Sequence, residues 1–120
     1  MKVLIVEDNS DMREVLMKVL ALPNIETEPA KDGETAVRKI ESGYQPDLAL
    51  LDLHLPGMGG EEVFRILREK TRSKIAVITV DDMAAPQFVE KADAVFTKPF
   101  STTELLVKIT SMALAGGESG

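Results

Sequence analysis

Short, continuously apolar runs recur along this chain, separated by stretches whose apolar residues lie three or four apart. "KVLIVE" (2–7), "DLALLDL" (47–53) and "KIAVITV" (74–80) are apolar on both faces, as strands buried in a parallel sheet are. "NIETEP" (24–29) is a weaker strand and "DAVFT" (93–97) a short one. Between them "SDMREVLMKVLAL" (10–22) sets Met12, Val15, Leu16, Val19 and Leu20 on one helical stripe, with Ser10 as its N-cap. "DGETAVRKIESG" (32–43) turns Ala36, Val37 and Ile40 inward and ends at Gly43. "GEEVFRILREK" (60–70) buries Val63, Phe64 and Leu67. "STTELLVKITSMAL" (101–114) carries Leu105, Leu106, Ile109 and Met112 inward, and Ser101 with Glu104 forms a capping box at its start. This alternation of strand and helix predicts an α/β fold, a parallel sheet with helices on both faces.

In such sheets ligands sit beyond the carboxyl ends of the strands, near the point where strand order reverses. The first strand ends in Glu7-Asp8, the third in Asp52, the fourth in Thr79 and the fifth in Thr97-Lys98-Pro99. Three carboxylates gathered on one rim repel one another, and a divalent cation removes the conflict. An all-oxygen donor set suits Mg²⁺ or Mn²⁺ better than zinc. Asp52 then has the chemistry of an oxygen nucleophile toward phosphorus. The cation, Lys98 and the Thr79 hydroxyl can each take one equatorial oxygen of a transferring phosphoryl group.

Composition narrows the choice further. The 120 residues make one domain, large enough to bury roughly two-thirds of its unfolded surface. With no cysteine and a single histidine, His54, disulfides, thiolate sites and multi-histidine zinc sites are excluded. A net charge of −6 without a basic cluster argues against nucleic-acid binding by this domain alone. No apolar run approaches the roughly 18 residues of a membrane span, and "MKVLIVED" turns acidic too soon for a signal peptide. The expected location is cytoplasmic, without membrane association. The final "AGGESG" reads as a flexible tail or the start of a linker, so the domain is expected over 1–115 and the tail over 116–120.

"VLIVEDN", "DLALLDLHLPGMGG", "VIT" and "TKPF", in that order and each at a strand end, resemble the receiver domain of bacterial two-component response regulators. The resemblance implies a flavodoxin-like doubly wound sheet of order 2-1-3-4-5. It implies that Asp52 is the phosphoacceptor, that Asp8 ligates Mg²⁺ directly and Glu7 through water, and that the His54 backbone carbonyl completes the protein's share. Thr79 and Lys98 match the family's hydroxyl and lysine, and Pro99 the proline that follows a cis peptide there. A histidine kinase or histidine phosphotransfer protein is the implied donor, to a domain that catalyses its own phosphorylation and dephosphorylation without being a conventional turnover enzyme. The output domain or effector is not implied.

Three features depart from the family pattern. Val80 stands where Ala or Gly usually follows the hydroxyl residue. Thr79 and Lys98 are 98 − 79 = 19 positions apart, a shorter stretch than usual, so the helix between the fourth and fifth strands is expected to be short, displaced or absent. Val95 occupies the place of the usual switch aromatic, and the adjacent Phe96 should point the other way, into the core. An interaction module that is never phosphorylated therefore stays open as an alternative. An Asp-nucleophile phosphatase like those of the haloacid dehalogenase class fits less well, since His54 stands where its acid should be. A flavin-binding protein fits less well again, because "EDNSD" after the first strand would repel a phosphate.

Overall fold

The computed structural model describes residues 1–80 and 91–119, with side chains as far as Met112. Its elements are β1 (Lys2–Val6), α1 (Ser10–Val19), β2 (Glu26–Ala30), α2 (Gly33–Glu41), β3 (Leu48–Asp52), α3 (Gly60–Lys70), β4 (Lys74–Thr79), β5 (Ala94–Thr97) and α4 (Thr102–Ser119). The expectation of a reduced helix between β4 and β5 concerns residues 81–90, which lie outside the described residues.

All five strands are parallel, in the order β2-β1-β3-β4-β5. Successive side chains of a strand point to opposite faces, and here both faces are covered. Leu4, Val6, Ala49, Leu51, Ile75 and Val77 pack with Ala36 and Ile40 of α2 and Val63, Phe64 and Leu67 of α3. Val3, Ile5, Leu48, Leu50, Ala76 and Ile78 pack with Leu16 and Leu20 around α1 and with Leu105, Ile109 and Met112 of α4. That two-sided burial is why β1, β3 and β4 show no polar alternation. β2 is an edge strand, which accounts for its weaker pattern and for the tolerance of Pro29 within it.

Three details differ from expectation. Asn9, not Ser10, caps α1: its side chain accepts a 2.9 Å hydrogen bond from the Met12 amide, and Ser10 is already helical. Both residue types cap well, so side-chain reach decides between them. Val15 is 43% exposed, because Leu16 and Leu20 fill the contact with the sheet and leave Val15 on the flank. The last helix runs on to Ser119, past Leu114 where its apolar pattern stops. Ser101 accepts from the amides of Thr103 and Glu104, which is the serine half of the expected capping box.

Strand order reverses between β1 and β3, so the crevice at their carboxyl ends is framed by the β1–α1 and β3–α3 loops. The second loop is held tightly. Gly57 has φ +69°, a left-handed conformation that glycine adopts without strain. A Cβ on Gly60 would lie 2.5 Å from the Leu53 Cα and 2.9 Å from the Asp52 carbonyl oxygen. Glycine there lets the N-terminus of α3 close on the end of β3.

Candidate functional site

Glu7, Asp8, Asp52 and Lys98 meet in this crevice, and Thr79 lies at its margin against His54. Glu7 and Asp52 are buried and Asp8 is exposed. Carboxylate oxygens of the three lie within 4.8 Å of one another. Lys98 reaches in from the β5–α4 loop, its Nζ 3.2 Å from Glu7 Oε1 and 3.3 Å from Asp52 Oδ2. The Lys98–Pro99 peptide is cis. The Lys98 amide donates a 2.7 Å hydrogen bond to the Thr79 carbonyl, which ties the lysine to the end of β4.

The two oxygens of Asp52 are differentiated. Oδ1 accepts a 2.8 Å hydrogen bond from the His54 amide, while Oδ2 faces the ammonium. Thr79 is fully buried, and its Oγ1 lies 3.3 Å from His54 Nε2. The imidazole therefore turns back toward the site although His54 as a residue is exposed, in keeping with its position two after Asp52.

Burial pushes the Glu7 carboxyl up to about 7, helped by its hydrogen bond with Asp52 and by that residue's charge; the Asn9 amide and Lys98 oppose the rise only in part. Burial works against the Lys98 ammonium, but the charges of Asp52 and Glu7 outweigh it and hold the lysine above its ordinary range. Both shifts are upward and share one origin, an excess of negative charge in a space partly withdrawn from water, which favours keeping a proton on either group. Three carboxylates clustered this closely, whose mutual repulsion a bound cation would relieve, are the oxygen-donor chemistry that a hard divalent ion fits.

One contact has no counterpart in the sequence reading. Arg13 of α1 curls back so that its Nη1 donates to the Glu7 carbonyl at 2.8 Å and approaches the Asp8 carbonyl at 3.4 Å. The available signal was a cation early in a helix, where the macrodipole favours acids.

Residues 3–110 match the sequence model of the response regulator receiver domain. The chain belongs to that family. Among curated relatives, this receiver is 34% identical over 115 residues to the transcriptional regulatory protein ResD of Bacillus subtilis, covering 92% of this chain and 47% of that protein. It is 33% identical over 119 residues to the sensory transduction protein RegX3 of Mycobacterium tuberculosis, covering 97% and 52%. The chain thus spans about half the length of these relatives. Among solved structures it is 32% identical to the response regulator TrrA of Thermotoga maritima in complex with Mg²⁺-BeF, with a TM-score of 0.81 over 92% of this chain and 97% of that one. A CheY-like receiver domain from Methanospirillum hungatei is 26% identical, with a TM-score of 0.85 over 99% and 98%. The receiver family and the 2-1-3-4-5 flavodoxin-like sheet agree with the motif order and the strand pattern.

Proposed function

We propose that this receiver accepts a phosphoryl group on Asp52 from a partner's phosphohistidine and, as an acyl phosphate, alters a surface that another protein or domain reads. The observation that carries this reading is the placement of the Lys98 ammonium against both buried carboxylates, with Asp8 on the rim. In the transfer, an Asp52 carboxylate oxygen forms a bond to phosphorus as the phosphorus–nitrogen bond of the donor breaks. The electron pair of that bond stays on the imidazole nitrogen, which takes up a proton. The His54 amide fixes the angle of the carboxylate. Lys98, released from part of its pairing as the Asp52 carboxylate gives up its charge to the new anhydride bond, follows the charge onto a phosphoryl oxygen, and the Thr79 hydroxyl offers a second donor.

Mg²⁺ or Mn²⁺, held by Asp8, Asp52, the His54 carbonyl and, through water, Glu7, would neutralise charge at the transferring group. The donor would be a histidine kinase or a histidine phosphotransfer protein, and the compartment the cytoplasm. No helix among the described residues is long and apolar enough to cross a membrane. As the chain spans about half of relatives that include a transcriptional regulatory protein, the reader of the switch would be an attached output domain or a separate effector.

Phosphoramidate, a small donor with a phosphorus–nitrogen bond, tests the reading. The intact mass should rise by one phosphoryl group with Mg²⁺ present and stay unchanged after chelation. Equal labelling with and without the metal would count against it.

A further inference from the structure

Arg13 sits in a place that helix stability does not explain. Its guanidinium lies back over the N-terminal end of α1, where the helix dipole disfavours a cation and where Asp11 already supplies the favourable charge. The contacts it makes there are with the backbone of the two residues that enter the crevice from β1. Glu7 is thereby held at both ends of its backbone. Its amide donates to the Ala30 carbonyl at 3.1 Å, and its carbonyl accepts from Arg13 at 2.8 Å. Its carboxylate is fixed too, by the Asn9 amide at 3.2 Å and by Lys98.

Asp8 is different. Its side chain is exposed, and its carboxylate receives no hydrogen bond from the described residues. The direction in which it points is therefore set by its backbone, and the side chain that touches the carbonyl of that backbone is Arg13.

We infer that Arg13 is a positioning residue for the divalent cation: by engaging the Glu7 and Asp8 carbonyls it fixes the loop that presents the Asp8 carboxylate to the metal. The inference rests on the metal-dependent reading above. Partners that orient metal ligands in this way typically matter tenfold to a hundredfold in affinity. Two competing accounts of the same residue give different results. If Arg13 acted only through its charge, it would repel a divalent ion, and removing it would tighten binding. If it served only to stabilise α1, removing it would lower the unfolding midpoint and leave metal affinity alone.

The test is a Mg²⁺ titration of the folded protein, followed through backbone amide resonances, for wild type, Arg13→Met and Arg13→Lys, with the metal-free unfolding midpoint measured beside each. Methionine keeps an unbranched helix-compatible side chain and loses the donors. Lysine keeps the charge as a compact ammonium without the guanidinium fork. The expected result is an affinity about tenfold or more weaker in Arg13→Met, with Arg13→Lys between it and wild type. Wild type that binds while Arg13→Met binds equally or more tightly overturns the inference and leaves the metal site standing. Wild type that does not bind Mg²⁺ overturns the metal-dependent reading itself. Should Arg13→Met fail to fold, Arg13→Lys decides: weaker binding than wild type supports the positioning role, and equal binding overturns it.

Discussion

The residues at the strand ends were legible in the sequence because each interrupts an apolar run with a group that burial penalises. Glu7, Asp52 and Lys98 meet for that reason: their charges are tolerable in the crevice only together. Arg13 and the Asn9 cap were not legible, since both depend on where a side chain reaches, which spacing does not determine. Val80 belongs to this scale as well. It is 59% exposed, follows Thr79 directly and lines an apolar groove with Met12, Val15, Lys98, Pro99 and Phe100. We predict that Val80→Ala shortens the lifetime of the phosphorylated form; a half-life equal to or longer than that of wild type would rule out shielding by Val80. Tyr44, the only tyrosine, offers a cleaner titration. Burial, then the charges of Glu28, Asp47 and Glu26, push its phenol up to about 12. A folded value above the unfolded one, about 10, means that the stability it contributes is complete below pH 10 and is lost as pH rises toward 12. Phenolate absorbance in the near ultraviolet should therefore rise with a midpoint near 12 if the fold persists. A midpoint at the ordinary value would show that Tyr44 is solvated.

Elements followed their patterns where burial is one-sided or complete. α3 begins and ends where the apolar spacing places it, over Gly60–Lys70, and β3 is buried throughout. Parity within β5 also held. Phe96 packs with the α1 and α4 side and lies 6.1 Å from the ring of Phe100, while Val95 faces the α3 side. The exposure of Val15 was missed because a helical stripe names candidates for burial without saying how wide the sheet's contact will be. The junction of β3 and α3 carries the prediction at this scale. Because a Cβ on Gly60 would meet backbone rather than a flexible side chain, Gly60→Ala should destabilise the fold by about 1–3 kcal/mol. Denaturant unfolding checks it, and an unchanged midpoint would mean that α3 can shift without cost.

For the molecule as a whole, five parallel strands with both faces covered leave one switch point between β1 and β3, and the charged residues collect there. That much follows from strand order and the cost of burying charge. The surface that a partner would read does not, since strand order and the cost of burying charge place the site without naming what binds beside it. The central claim is that Asp52 is the group that takes the phosphoryl. Its most direct measurement is intact mass after incubation with acetyl phosphate and Mg²⁺, with wild type and Asp52→Asn side by side. The account predicts a gain of one phosphoryl group in wild type and none in Asp52→Asn. Equal gain in both proteins, or no gain in wild type that binds Mg²⁺, would contradict it.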